Sequence, residues 1–202
     1  MTEVARIGSW AGPAGAAEVR PITIDELSSV RYIHAASFRM RAGQHYTPSE
    51  IEAFAEHVNG LAYTDALSDV LRQQQLYGAW LEGELVGTAG WSAARDGEVA
   101  ARLRFIYVRP LFTGLGLGGR LLLETEDIAR QAGFRTFNAR ATLNAAEFFD
   151  RFGYQRLGSG MRPLSPTHTL PVVFMRKRDP DATGRNEKAR PAGWPGMPWS
   201  AD

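Results

Sequence analysis

The stretch FIYVRPLFTGLGLGGRLL, residues 105–122, decides how this chain is read. An apolar strand ends at Val108, Pro110 turns the chain, and Gly114, Gly116, Gly118 and Gly119 lead into the periodic run of a helix. Glycines let backbone N–H groups approach a ligand closely. The first turn of the helix adds unpaired donors at the positive end of its dipole. A phosphate or pyrophosphate is therefore expected at Thr113, Gly114, Leu115, Gly116, Leu117, Gly118 and Gly119.

Two phosphate-binding signatures can be weighed against this loop. A nucleoside-triphosphate loop needs Lys-Ser or Lys-Thr after its last glycine, and here Gly119 is followed by Arg120. Gly114, Gly116 and Gly119 do have the spacing of a dinucleotide fingerprint. The context is wrong, however: the strand ends well before the first glycine, and no acidic residue closes the next strand, NARAT, at 138–142. A nucleotide-binding oxidoreductase is the alternative this spacing leaves open.

Outward from the loop, Leu121, Leu122, Thr125, Ile128, Ala129 and Ala132 form one helix face, closed by Gly133. A strand is predicted over 136–141, then a short helix from Asn144 and Glu147 to Gly153. Final strands at 154–157 and 172–176 are divided by a loop containing Pro163, Pro166 and Pro171. Upstream, 76–81 and 85–94 read as a hairpin about Glu82-Gly83-Glu84. A turn at Asp96-Gly97 and a strand over 101–108 complete an antiparallel meander.

Before the meander, 19–22 is a short strand, and Thr23 with Glu26 makes a capping box. The helix it opens buries Leu27, Val30, Ile33 and Ala35 or Ala36, and the loop MRAGQHY follows at 40–46. Thr47, Pro48 and Glu50 start a second helix that runs to about Val58. Residues 70–75 are helical or irregular. The fold class is mixed α/β, with residues 19–178 as one domain. An Ala/Gly-rich flexible leader over 1–18 precedes it. A tail over 179–202, with Trp194 and Trp199, is flexible or docked.

Composition narrows the function classes. The 202 residues carry 23 basic and 22 acidic side chains, a formal net charge of +1, so no global basic field argues for nucleic acid. Lys177 and Lys188 are the only lysines, a bias that reads as genomic coding preference. With no cysteine there is no disulfide framework, thiol nucleophile or thiolate-bound zinc. His34, His45, His57 and His168 show no metal-ligand spacing, so no metal is expected. No stretch reaches the ~20 apolar residues of a membrane span, and the first residues do not read as a secretory signal. A cytoplasmic protein without nucleic-acid or membrane partners is the expectation.

Val108-x-Pro110 followed by Gly114-x-Gly116-x-Gly118 resembles the coenzyme A loop of the GCN5-related N-acetyltransferases. NAAEFFDRFGY, residues 144–154, resembles that family's second signature, and the element order matches over about 19–178. The resemblance implies a mostly antiparallel central sheet, flanked by helices and splayed in a V that admits acetyl-CoA. It implies that backbone groups around Ile106, Tyr107 and Val108 pair with the pantetheine arm. Thr113 through Gly119 would hold the pyrophosphate, Asn144 would meet the arm, and Phe149 would lie beside the sulfur.

This chain departs from the family pattern at three positions. Thr113 stands where the loop usually has Arg or Gln, and Arg120 either replaces that contact or is a solvent-exposed helix arginine. Arg102 stands where some members place a glutamate base, and Phe149 where many place a tyrosine acid. His45 and His168, in loops that border the acceptor site of the resembled fold, are the candidate bases. Tyr46, Arg102 and Arg104 are the candidate acceptor-binding residues, the two arginines alternating onto one strand face. The function implied is transfer of an acetyl group from acetyl-CoA to the primary amine of a small acceptor, by direct attack in a ternary complex. The protein would be a monomer or homodimer. A non-catalytic acyl-CoA-binding module is the alternative of a different class.

Overall fold

The structure, a computed structural model, describes residues 12–94 and 98–179. The described residues start with a short helix, α1 (Pro13–Ala16), and strand β1 (Glu18–Pro21). Helices α2 (Leu27–Ala42), α3 (Pro48–Asn59) and α4 (Leu61–Arg72) follow. Strands β2 (Leu76–Leu81), β3 (Glu84–Ala93) and β4 (Ala101–Val108) form the meander. After it come α5 (Leu117–Gln131), β5 (Thr136–Thr142), α6 (Ala146–Arg151), β6 (Gln155–Pro163) and β7 (Thr169–Arg178). The strands make one sheet in the order β1-β2-β3-β4-β5-β7-β6.

Local chemistry explains most of these boundaries. Both predicted capping boxes form: Thr23 with Glu26, and Thr47 with Glu50. The β2–β3 turn is the dipeptide Glu82-Gly83, at φ 51° and 81°. That is the mirror-image turn whose twist matches the strands it joins. Helix α2 runs on to Ala42, past the predicted loop start at Met40. Helix α4 begins nine residues earlier than the predicted 70–75 segment, at Leu61, and buries Tyr63, Leu67, Val70 and Leu71. The last two strands are longer than predicted. Pro163 ends β6 and Pro171 lies within β7, just outside the β5 pairing that starts at Val172, so its missing N–H removes no bond to β5.

The leader expectation needs correction. Ala14 and Ala17 are buried. Arg120 donates to the carbonyls of Ala14, Gly15 and Ala17 and pairs with Glu124 at 2.6 Å. Residues 12–18 are thus tied to α5. Asp96-Gly97, Trp194 and Trp199 lie outside the described residues.

Two layers of helix cover the sheet. Val30, Ile33, Phe38, Phe54, Tyr63 and Leu67 of α2–α4 pack with Leu76, Trp80 and Phe105 on one face. Leu122 and Ala129 of α5 and Phe149 of α6 pack with Leu103, Phe137, Ala139 and Met175 on the other. All strand pairs are antiparallel except β4–β5, which run parallel and pair only from Ala101↔Phe137 to Leu103↔Ala139. Beyond that point the two strands diverge, and the sheet opens as a V. A bulge helps to part them: between Thr88 and Gly90 of β3 the register against β4 slips, and Phe105 has φ 57°. A bulge bends the strand that carries it.

One buried carboxylate anchors the α5–β7 side. Glu126 is fully buried and accepts from Tyr154 at 2.8 Å, Arg130 at 2.8 Å and Lys177 at 2.6 Å. Removing one partner of a buried ion pair strands the others, so Glu126→Ala should lower stability by about 3 kcal/mol in urea melts. A variant within 0.5 kcal/mol of wild type, roughly the scatter for surface changes, would contradict this account.

Candidate active site

The glycine loop lies at the mouth of the V. Gly116 caps α5 at φ 83°, no side chain caps the helix, and its first turn holds no acidic residue. Its first N–H groups therefore have no intrahelical acceptor and face no competing carboxylate. Gly114, at φ 82°, has open space where a Cβ would stand. A Cβ on Gly118 would meet Phe148 at 3.5 Å and Val108 at 3.6 Å, so the helix start sits against α6 and the end of β4. The Thr113 hydroxyl donates to the Pro110 carbonyl at 2.9 Å. Arg120 is occupied by α1 and Glu124, which removes it as a replacement phosphate ligand.

Below the loop, residues 104–108 of β4 and 140–142 of β5 have no strand partner across the fork. A cavity of about 150 Å³ fills the gap. On the α6 side it is lined by Ile106, Ala145 and Phe149. Phe149 is buried, edge-on to Tyr154 at 5.0 Å between ring centres. The Asn144 Oδ1 is buried and has no hydrogen-bond partner. A buried acceptor without a donor is costly, so this oxygen calls for an N–H or O–H from water or a ligand.

The opposite wall belongs to the α2–α4 face. Leu103, Ala139 and Ala141 point into the α5–α6 core, so their neighbours Arg102, Arg104 and Arg140 project the other way. Arg162 of β6 joins them, standing 6.0 Å from the ring centres of both Phe54 and Tyr63. Its guanidinium donates to His57 Nε2 at 3.2 Å, and His57 Nδ1–H donates to the Leu164 carbonyl at 2.8 Å. Burial and the neighbouring Arg162 lower the His57 pKa. Tyr63 and Tyr107 complete this wall. Burial raises the pKa of both phenols above the usual 10, so both stay neutral.

Behind the phenols a hydrogen-bond chain enters the core. The Thr88 hydroxyl donates to the Phe105 carbonyl at 2.7 Å, so its oxygen accepts from His34 Nε2–H at 2.8 Å. His34 Nδ1 then accepts from the Tyr63 hydroxyl at 2.8 Å. His34 also stacks on the Phe105 ring, 5.7 Å away. The chain holds the carbonyl of the one positive-φ residue in β4 and so fixes the bulge at the fork.

The predicted bases and one predicted acceptor contact lie elsewhere. His45 is exposed in the α2–α3 turn. His168 is exposed in the β6–β7 turn, with Nδ1 3.0 Å from the Thr167 hydroxyl. Neither lines the fork cavity. The Tyr46 hydroxyl donates to the Pro171 carbonyl at 2.7 Å and accepts the Leu143 N–H at 2.7 Å, so Tyr46 is a tie between elements. Sequence reading missed Tyr63, Arg140, Arg162, His57 and His34. Only Arg140 carried a local signal, the alternation Ala139-Arg140-Ala141; the others meet through long-range packing. Among the described residues, no three His, Cys, Asp or Glu side chains gather as a metal site. No helix of the described residues is long and apolar enough to cross a membrane.

A forked sheet with a glycine-capped helix at its mouth is the frame of an acyl-group transferase. The chain belongs to the GNAT acetyltransferase family, whose domain model matches residues 42–163. This assignment sets aside both the oxidoreductase reading and the non-catalytic one. A GCN5-related N-acetyltransferase from Rhodopseudomonas palustris superposes with TM-score 0.68 at 24% identity, covering 81% of this chain and 96% of that one. The PaiA N-acetyltransferase of Thermoplasma acidophilum, solved with coenzyme A, gives TM-score 0.61 at 19% identity over 80% and 98%. A phosphinothricin acetyltransferase of Sinorhizobium meliloti, solved with acetyl-CoA, gives TM-score 0.60 at 21% identity over 87% and 96%. No curated protein matches the chain.

The buried imidazole makes stability pH-dependent. Burial lowers the His34 pKa from 6.5 to about 3, so the unfolded chain binds a proton that the folded one refuses between those values. Its contribution is complete above pH 6.5 and is lost as pH falls toward 3. Urea melts should give ~2 kcal/mol less stability at pH 5.0 than at pH 7.5 from this group. His57 acts in the same direction. A His34→Asn variant should be less stable at pH 7.5 and lose less on acidification. Equal wild-type stability at both pH values would contradict the assignment.

Proposed function

We propose that the protein transfers an acetyl group from acetyl-CoA to the primary amine of a small acceptor, by direct attack while both are bound. The observation that carries this reading is the fork cavity, which joins the glycine-loop face of the sheet to the arginine-lined face. A volume of about 150 Å³ is well under the ~300–1,000 Å³ of sites for drug-sized ligands, which suits a small acceptor.

The residues present suit the donor. The N–H groups from Thr113 to Gly119, with Leu115 and Leu117 among them, would hold the pyrophosphate. The unpaired backbone from Ile106 through Tyr107 to Val108 would take the amide arm as an added strand. Asn144 Oδ1 would accept an amide N–H of that arm. Phe149 would pack beside the sulfur and exclude water. When bound, acetyl-CoA supplies an acyl carbon activated as a thioester.

The remaining chemistry belongs to the acceptor side. No carboxylate or imidazole lines the cavity among the described residues. The guanidinium wall replaces a base by another route: cations near an amine disfavour its ammonium form, so the amine gives its proton to water and arrives neutral. The nitrogen lone pair then forms the carbon–nitrogen bond as the carbon–sulfur bond breaks, and the proton this leaves on nitrogen passes to water or to the released thiolate. The thiolate needs little help, since an ordinary thiol has a pKa of about 8.5. Phe149 has no proton to give it.

Two measurements test these roles. Gly116→Val places a branched side chain at φ 83° and should weaken CoA binding at least tenfold, on the order of 1.4 kcal/mol. Calorimetry on a variant that melts as a folded protein with unchanged affinity would remove the loop from the site. Phe149→Tyr should leave turnover equal or raise it, because a placed general acid contributes roughly a hundredfold or more. A folded Phe149→Tyr enzyme with normal CoA affinity and much slower turnover would show that the ring does not lie beside the sulfur.

A further inference from the structure

The acceptor wall holds an uncommon concentration of one charge. Arg102 and Arg104 reach the cavity from β4, Arg140 from β5 and Arg162 from β6. No aspartate or glutamate lines the cavity among the described residues. Aromatic faces hold three of these guanidiniums in place. Arg104 lies 4.7 Å from the Phe105 ring centre, Arg140 5.7 Å from Phe174, and Arg162 6.0 Å from Phe54 and Tyr63. A ring beside a guanidinium's face leaves the in-plane N–H donors of Arg140 for a ligand. Arg162 is set further by His57, to which it gives one N–H. The pKa of Arg140 is lowered by burial and then by the charges of Arg102 and Arg162, the electrostatic mark of neighbouring cations.

The directions of approach narrow the anion. A planar carboxylate is satisfied by one or two donors in its own plane. Here donors converge from three strands around the fork, and oxygens pointing in several directions meet them better. We propose that the acceptor amine carries a phosphate-type dianion, a phosphate monoester or phosphonate, held by Arg102, Arg140 and Arg162 on the α2–α4 face of the fork. This rests on the reading of the cavity as the place of acyl transfer, and it adds the substrate class. The anchored anion points the amine back through the fork, toward the thioester on the α6 side.

The test uses the full chain and a matched set of amines: 2-aminoethyl phosphate, glutamate, a neutral aminoalkyl alcohol and spermidine. CoA release is followed with acetyl-CoA saturating. Binding of 2-aminoethyl phosphate is measured separately by calorimetry, with and without CoA. Turnover should be highest for 2-aminoethyl phosphate. Arg140→Gln should raise its KM and Kd about tenfold or more, the usual loss for a charge-assisted hydrogen bond, with CoA affinity within about twofold of wild type. Arg162→Gln serves the same purpose should Arg140→Gln fail to fold. Preference for glutamate, the alcohol or spermidine overturns the assignment, as does an unchanged Kd in both folded variants. Binding of 2-aminoethyl phosphate that the arginine variants abolish, without any acetyl transfer, would support the anion site while overturning the transfer reading. Absence of binding, with turnover of another amine, would do the reverse.

Discussion

The β4–β5 pairing stops at Leu103 and Ala139, and the rest of the molecule is arranged around that stop. A sheet that parts in its middle leaves backbone N–H and C=O groups without a ladder, and such groups must find partners. At an outer edge, water would supply them. Inside the fork that backbone borders a cavity of about 150 Å³. In the proposed function the unpaired backbone of β4 is a template for an extended ligand that brings its own amides. The glycine-capped start of α5 lies where the charged end of such a ligand would emerge.

Keeping the fork open requires support, and the core provides it. Phe105 has a backbone conformation that residues with a side chain rarely adopt. The Thr88 hydroxyl holds its carbonyl, His34 holds Thr88, and Tyr63 of α4 holds His34. All three supporting side chains are buried. A helix remote in sequence thus sets a strand at the cleft. The arrangement commits a buried histidine to the neutral form, which links the shape of the fork to pH.

Short-range chemistry was legible in the sequence; convergence across the chain was not. The capping boxes at Thr23 and Thr47, the Glu82-Gly83 turn and the glycine loop each lie within a few residues, and each formed as read. Helix α4 was under-read because its N-cap, Gly60, offers no side-chain cap and its first residue, Leu61, is exposed. Tyr46 looked like a site residue because it sits in a loop beside a histidine. Its hydroxyl instead bridges β7 and the segment after β5, partners 125 and 97 residues away. Arg162 was invisible for the same reason: its surroundings come from α3, α4 and β6 together.

In the proposed transfer, dividing the fork by face accounts for a site without the acid and base that the resembled pattern implies. On the α6 side the lining groups are neutral: Ile106, Ala145 and Phe149. On the other side the charges are cationic. In that proposal, the amine crossing from the second environment toward the first leaves a field that opposes its protonation and enters an apolar one that opposes it too. In the proposed transfer, arginine at position 102 therefore leaves it to the field of the cationic wall, in place of a base in contact, to favour the neutral amine.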